Sequence, residues 1–244
     1  MKIIKLNAID STNSFLKEMA HNSTLENYTI VTTGTQTNGR GQMGTQWVSE
    51  PSKNLLCSVY VTFNGLPVSN QVLINYAVSL AIINTLEKYN VPKLAVKWPN
   101  DILSFNYKLC GTLVENVIQN NEVKSSVIGI GLNVNQIDFE KGFNATSIKK
   151  EIGREINLDK LLEDLISELK ISIGYITNSA TNILKENYLK WLYKKNTPTM
   201  FKDCEGVLFM GKIIGVSSIG KLQIQLEDDA ISEFGIKEVS FAKA

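Results

Sequence analysis

Histidine and arginine are almost absent from this chain of 244 residues. His21 is the single histidine, and Arg40 and Arg154 are the only arginines among 25 basic residues. A Ser-His-Asp relay would have to be built on His21, and no aspartate follows an arginine as in the His-Arg-Asp loop of protein kinases. The composition therefore disfavours both of these enzyme classes.

Cysteine is scarce as well. Cys57, Cys110 and Cys204 lie far apart in the sequence, and none has the Cys-x-x-Cys spacing of a zinc ligand pair. With a single histidine they cannot complete a conventional zinc site. Reduced thiols are the simplest reading, and they suit a cytoplasmic protein.

Long apolar runs and an excess of charge are also missing. The apolar run before Asp10 is too short for a signal peptide, and no later stretch approaches the roughly 18 apolar residues of a membrane span. The net charge is +1, which gives no general attraction for nucleic acid or for an anionic membrane. We therefore expect a cytoplasmic protein that binds neither DNA nor a membrane.

Apolar spacing predicts an α+β fold with a mixed, largely antiparallel sheet and packed helices. Helices are expected from Ser11 onward, over 69–89 and as a pair within 158–195. After Pro198, short apolar runs separated by glycine or acidic residues predict a small β-barrel, with runs at 206–210, 212–216, 221–226 and 235–241. The domains are thus predicted at 1–196 and 197–244. Strands are expected over 2–9, 28–35, 54–63, 94–98, 108–118 and 127–134.

Gly39, Gly41 and Gly44 fit the pattern G-x-G-x-x-G. A dinucleotide site needs a helix directly after these glycines, whereas Trp47, Pro51 and a β-rich run follow here. The kinase version fails too, since glutamine stands at its valine position. A plain glycine-rich hairpin is the simpler alternative. An arginine between two glycines, in a chain that otherwise uses lysine, favours binding of a phosphate or carboxylate.

Four segments, in this order and spacing, resemble biotin protein ligases. Ser11-Thr12-Asn13, Gln36 and the tail after Pro198 match as well, so the resemblance covers nearly the whole chain. It implies a class II synthetase-like catalytic domain and a small C-terminal β-barrel. The first strand leads almost directly into Ser11, so we expect a monofunctional form without an N-terminal DNA-binding domain. The segments are GRGQMGTQW (39–47), KWPNDIL (97–103), KLCGTLVE (108–115) and GIGLNVN (129–135).

The resemblance implies a two-step reaction. Biotin and ATP, with Mg²⁺, give biotinyl-5′-AMP and pyrophosphate, and a lysine of a biotin carboxyl carrier protein then takes the biotin. The implied carrier is a domain of acetyl-CoA carboxylase or of a related carboxylase. A homodimer is compatible with the sequence, which leaves the oligomeric state open.

The resemblance also implies residue roles. Lys108 and Arg40 would be catalytic, with Lys108 between the biotin carboxylate and the α-phosphate. Asp101 would bind Mg²⁺ and is a better candidate for that role than Asn133. Glu115 is left outside the primary site, as a supporting or solvent-facing residue. Biotin would contact Ser11, Thr12, Asn13, Gln36, Gly39, Arg40, Gly41, Gln42, Trp47, Lys108, Gly111 and Gly129, and ATP would contact Arg40, Trp47, Asn100, Lys108 and Asn133.

Several of these residues could instead have an ordinary structural role. Ser11 is suited to cap a helix, Trp47 to anchor a core, and Asp101 or Asn133 to form a turn. Lys108 is one of 23 lysines, and only its spacing after Asp101 and before Gly111 distinguishes it.

Gln42 is a departure from the family pattern, because many members carry a second arginine there. The loop loses a positive charge, and we expect contacts through backbone N–H groups and weaker retention of the adenylate.

Two alternatives remain open. Lipoate ligases and octanoyl transferases share a related fold, but their Arg-Arg-x-Ser-Gly-Gly-Gly segment and their Cys/Lys motif are missing here. A non-catalytic module that binds biotin or a carrier domain would be favoured by loss of Arg40, Lys108 or Asp101, and all three are present. Arg154 has no assigned task and is expected at the surface.

Overall fold

The computed structural model describes residues 2–140, 142–178 and 180–242. Its larger unit is a seven-stranded sheet in the order β1-β2-β3-β7-β6-β5-β4. Strands β1 and β2 are parallel and the other neighbours are antiparallel, which confirms the predicted mixed, largely antiparallel sheet. The strands are β1 (Ile3–Ile9), β2 (Thr29–Gln36), β3 (Leu55–Pro67), β4 (Leu94–Lys97), β5 (Asp101–Ser104), β6 (Tyr107–Gln119) and β7 (Glu122–Leu132).

Helices cover both faces of this sheet. Helix α1 begins after Ser11, whose side chain accepts a hydrogen bond from the Ser14 N–H and so caps the helix. Its Leu16 packs with Val31 and Val127 on one face. On the other face the main core joins α2 and α4 to the sheet. The helices are α1 (Thr12–Asn22), α2 (Val72–Lys88), α3 (Ile148–Ile152), α4 (Leu158–Thr177) and α5 (Thr181–Trp191).

Helix α2 is buried almost all round, as its apolar sequence predicts, and the Tyr76 ring stacks on Tyr188 of α5 at 4.2 Å between centroids. No helix in the described part of the chain has the length and apolar character to span a bilayer.

The C-terminal residues form a separate antiparallel sheet in the order β11-β10-β9-β8-β12. Within the described residues its edge strands β11 and β12 do not pair with each other, so the predicted small β-domain is present but the barrel is not closed. The indole N–H of Trp98 donates to the Gly220 carbonyl at 3.0 Å and links the two sheets. The strands are β8 (Pro198–Asp203), β9 (Leu208–Val216), β10 (Leu222–Leu226), β11 (Ile231–Phe234) and β12 (Val239–Phe241).

Several elements differ from the sequence prediction. The runs 206–210 and 212–216 are one strand, β9, because Gly211 packs closely against the Ile224 side chain and does not interrupt the ladder. Strands β5, β8 and β11 and the short helix α3 were not predicted. They have only four to six residues, too few for a clear period. The proposed domain boundary at 196/197 falls between α5 and β8.

Candidate active site

A cavity of about 250 Å³ lies on the α1 face of the large sheet. It is bounded by the start of α1, the glycine loop (residues 39–47) and strands β6 and β7. Of the residues predicted for the site, Gly39 and Asn133 do not line this cavity. Those that do line it are Ser11, Thr12, Asn13, Gln36, Arg40, Gly41, Gln42, Trp47, Asn100, Asp101, Lys108, Gly111 and Gly129.

One end of the cavity is polar and almost dehydrated. Ser11, Thr12 and Asn13 are each less than 5% exposed, and Ser58 beneath them is fully buried. The Thr12 hydroxyl lies 2.7 Å from the Ser58 hydroxyl and 3.2 Å from the Gln36 amide oxygen. These fixed oxygens and hydroxyls suit a small ligand that presents both N–H donors and a carbonyl.

Glycines form the floor of the cavity. Gly111 and Gly131 are paired across β6 and β7, and the Trp47 indole lies on both of them. A Cβ at Gly131 would come within 2.6 Å of the Trp47 ring. A Cβ at Gly129 would similarly collide with the Asn13 amide. The absence of side chains at Gly111, Gly129 and Gly131 therefore leaves room for the cavity and for the Trp47 ring.

Lys108 is held by its backbone. Its N–H donates to the Asn144 carbonyl at 2.8 Å, and its carbonyl accepts from the Thr146 N–H at 2.9 Å. Its ammonium lies 2.7 Å from Asp101 Oδ1 and 5.5 Å from the centre of the Trp47 ring. A cation is thus fixed in the cavity wall.

The turn before β5 positions Asp101. The Trp98–Pro99 peptide bond is cis, and the Asn100 side chain donates to the Thr112 carbonyl at 2.6 Å. In return the Thr112 N–H donates to the Asn100 carbonyl. Asp101 is thereby presented beside Gly111, its partner across the β5–β6 ladder.

A second cavity of about 120 Å³ adjoins the first. Gln46, Trp47 and Lys108 line both cavities and form the wall between them. Phe139 and Phe143 add aromatic surface on the far side. Asn133 lies here, with its amide donating to the Thr146 carbonyl at 3.0 Å.

The glycine loop is a short hairpin with a single 3₁₀ turn, Gln42–Gly44. Arg40 bridges to Gln46, and the Trp47 N–H donates to the Gly39 carbonyl. Gly39 lacks room for a side chain, because a Cβ would collide with the Trp47 carbonyl. No helix follows the loop, as the sequence indicates; β3 is the next element.

Glu115 of β6 anchors this loop. Its carboxylate accepts two contacts from the Arg40 guanidinium, at 3.1 and 3.3 Å, and also binds Lys17 and Asn13. Partial burial acts to raise the pKa of Glu115, but hydrogen bonds from Lys17, Asn13 and Arg40 outweigh it and lower that pKa. Glu115 therefore stays ionised and holds the arginine at the rim of the cavity.

Asp101 is the only described carboxylate that lines the main cavity. The described residues contain no cluster of three or more metal-ligating side chains. A single carboxylate in the cavity wall fits Mg²⁺, which commonly binds one or two carboxylates together with substrate phosphates and water.

Several residues of this region were not predicted as site residues, among them Ser58, Glu115 and Lys237. Ser58 reads as an ordinary strand residue. Glu115 was expected either to support the site or to face solvent, and its partners Arg40 and Lys17 are far away in sequence. Lys237 lines the cavity from the C-terminal sheet, in a segment with no motif. Of these residues only Glu115 could have been found from local sequence, because it is a carboxylate inside the otherwise apolar β6. Arg154 is exposed, as expected.

Known proteins resemble the chain over its whole length. Residues 6–133 match the biotin/lipoate A/B protein ligase family. The bifunctional ligase/repressor BirA of Bacillus spizizenii is 29% identical over 97% of this chain and 71% of its own length. The biotin–[acetyl-CoA-carboxylase] ligase of Mycobacterium tuberculosis is 35% identical over 46% of this chain and 42% of its own. The structure of a biotin protein ligase from Aquifex aeolicus in complex with biotin and ATP has the same fold, with a TM-score of 0.81 at 22% identity, covering 100% of this chain and 99% of that one.

Proposed function

The chain belongs to the biotin/lipoate A/B protein ligase family, and we propose that it is an ATP-dependent biotin protein ligase. It reacts biotin with ATP to give biotinyl-5′-AMP and pyrophosphate, and then transfers the biotinyl group to a lysine of a carrier protein. The relatives above bear names of this activity. The observation that carries the proposal is the position of Lys108 in the wall shared by the two cavities.

This position suits the first step. A carboxylate oxygen of biotin attacks the α-phosphorus, the bond from that phosphorus to the β-phosphate oxygen breaks, and pyrophosphate leaves. Two unit negative charges 4 Å apart repel by about 4 kcal/mol at an effective dielectric near 20. The Lys108 ammonium offsets that repulsion and stabilises the charge that develops on the phosphoryl oxygens.

The polar end of the main cavity supports biotin over lipoate. The ureido ring offers two N–H donors and one carbonyl to Ser11, Thr12 and Gln36. A dithiolane ring offers neither N–H donors nor a carbonyl, so it would gain no hydrogen bonds from Ser11, Thr12 and Gln36. A site built to hydrogen-bond a ligand rejects analogues that lack its polar groups.

The second cavity is suited to bind the nucleoside end of ATP. Trp47 and Phe139 provide aromatic surface on which a purine stacks, and Asn133 and Lys108 line the same cavity. Asn100 and Asp101, the latter paired with Lys108, line the main cavity where the phosphates would lie. Mg²⁺ held by Asp101 would neutralise phosphate charge, and Lys108 would then exchange its ion pair with Asp101 for one with the substrates.

In the second step the amine of the carrier lysine attacks the acyl carbon, the bond to the adenylate oxygen breaks, and AMP leaves with the amine losing a proton. The proposed carrier is the biotin carboxyl carrier domain of a carboxylase such as acetyl-CoA carboxylase. The proposed setting is the cytoplasm, where ATP is available. Residues 1–196 are the proposed biotin- and ATP-binding domain, and 197–244 the C-terminal domain.

Incubation with biotin, MgATP and a carrier domain, followed by intact mass measurement, tests this function. We expect one biotinyl adduct on the carrier and pyrophosphate release that needs biotin but not the carrier. Preferential transfer of lipoate in a matched reaction would overturn the substrate. Binding of biotin by calorimetry without transfer of either acid would instead identify a binding module.

A further inference from the structure

We propose that Lys237, in the turn between β11 and β12 of the C-terminal sheet, is a positioning residue that holds the glycine loop closed over the main cavity. This inference rests on the proposed function for its consequence in catalysis, while its structural part stands independently. It gives the C-terminal sheet a task in retaining the reaction intermediate.

The contact is direct. The Lys237 ammonium donates to the Met43 carbonyl, at the tip of the glycine loop, at 3.0 Å. The two residues are 194 positions apart in sequence. Ile236 and Lys237 line the main cavity together with the loop. The turn between β11 and β12 therefore completes the cavity wall, although it belongs to a different sheet.

The turn is built to present this side chain. The Gly235 N–H donates to the Glu238 carboxylate at 2.5 Å, and the Glu238 N–H donates to the Gly235 carbonyl at 3.2 Å. Between these bonds Lys237 has a left-handed backbone, with φ of 68°. A lysine rarely adopts this conformation, and it persists only where neighbouring bonds impose it. Because the Glu238 carboxylate is engaged within the turn, the Lys237 ammonium is left to the loop.

The loop tip depends on contacts from outside. The bond from the Gly41 N–H to the Thr45 carbonyl closes the hairpin on itself but does not tie it to the sheet. Met43 is 61% exposed and itself has a left-handed backbone. Arg40 ties one side of the loop to Glu115, and Lys237 ties the tip to the C-terminal turn.

Lys237 also adds positive charge beside a loop that carries little of its own. Arg40 is the only basic residue between 38 and 52, and its guanidinium is paired with Glu115. Lys237 brings a second cation to the loop from the other sheet. A cation there favours an anionic acyl-adenylate under the loop, and the closed loop keeps water from the mixed anhydride.

Tryptic cleavage after Arg40 in the ligand-free protein tests the structural part. We expect Lys237→Met to speed release of fragment 1–40 about threefold to tenfold, since one charge-assisted hydrogen bond is lost. Lys237→Arg should restore the slow cleavage. Lys202→Met is the matched control, because it removes an exposed lysine from β8 of the same sheet. Equal cleavage rates in Lys237→Met and Lys202→Met would overturn the proposal.

Dissociation of preformed biotinyl-5′-AMP tests the catalytic part. Lys237→Met should release it about threefold to tenfold faster while the rate of adenylate formation stays within about twofold. If Lys237→Met lowered only the melting temperature, the contact would serve only to pack the two sheets together, and the proposal would be overturned. If the wild-type protein formed no adenylate, the proposed function would fail, and the cleavage rates would still decide whether Lys237 holds the loop.

Discussion

The two walls of the main cavity are held in different ways. On the strand side, Lys108 is fixed by backbone hydrogen bonds to Asn144 and Thr146, and the glycines of β6 and β7 sit inside a continuous ladder. On the loop side, residues 39–47 contain one 3₁₀ turn and are tied down by side chains, Glu115 on Arg40 and Lys237 on Met43.

This difference separates two tasks. A backbone ladder holds a reacting group within a narrow range of positions, which stabilisation of a transition state requires. Side-chain ties at a partly exposed loop are individually weak and can be exchanged for contacts to a ligand. We therefore expect loss of the fixed cation in the strand wall to alter the chemical step most, and changes that disturb the loop wall, including displacement of its Trp47, to alter mainly binding and release.

Lys108→Ala is the largest expected change. It removes the cation where negative charge develops, and adenylate formation should fall about 100-fold to 1,000-fold, as for loss of an oxyanion donor. The backbone clamp does not depend on the side chain, so the fold should remain. Pyrophosphate release in single turnovers measures the loss, and Lys124→Ala, which removes a partly exposed lysine of β7, is the control. Near-normal release would remove Lys108 from catalysis and end the contrast between the walls.

Gly131→Ala should have the next largest effect. Its Cβ would lie 2.6 Å from the Trp47 ring, so the indole must move away from β7. Biotin affinity should then fall about tenfold, or about 1.4 kcal/mol. Calorimetry measures the affinity. Gly174→Ala in α4, where a Cβ meets nothing within 4 Å, should leave binding unchanged and stabilise the helix by about 0.5–1 kcal/mol. Equal binding by both variants would mean that the glycine floor does not shape the site.

Glu115→Gln probes the loop wall through stability and pH. The partners Arg40 and Lys17 are partly exposed, so the free energy of unfolding should fall by only about 1 kcal/mol at pH 7. Because the pKa of Glu115 is lowered in the folded state, this stabilisation is complete above the ordinary glutamate pKa of about 4.3 and is lost as pH falls through the folded-state value.

Urea unfolding at pH 7 and pH 3 measures the difference between wild type and Glu115→Gln, which should shrink in acid. Glu122→Gln, which breaks a more exposed pair with Lys124, is the matched control. A difference that stayed constant with pH, or that equalled the control, would mean that the charge of Glu115 does not hold the loop.

Local sequence predicted one wall better than the other. The spacing of apolar residues predicted β6, β7 and α2. The cap of α1 lies at Ser11, where the sequence offers a capping residue. Side-chain ties across the fold leave no such local pattern. Glu115 contacts residues 75 and 98 positions away, and Lys237 lies 194 positions from Met43. The open sheet and the single strand β9 were missed because register and closure depend on tertiary packing.

Gln42→Arg should have the smallest effect and bears only on the loop. The Gln42 side-chain oxygen is buried without a hydrogen-bond partner among the described residues, while the residue's own carbonyl accepts from the Thr45 hydroxyl at 2.8 Å. An arginine here restores a positive charge near the phosphate, and a partly exposed charge pair of this kind slows release of biotinyl-5′-AMP by about twofold to fivefold. Adenylate formation should change less, because the Lys108 wall is untouched. Gln119→Arg, at the far end of β6, controls for net charge. A release rate unchanged by Gln42→Arg would contradict the expectation that this loop retains the adenylate more weakly than a loop with a second arginine.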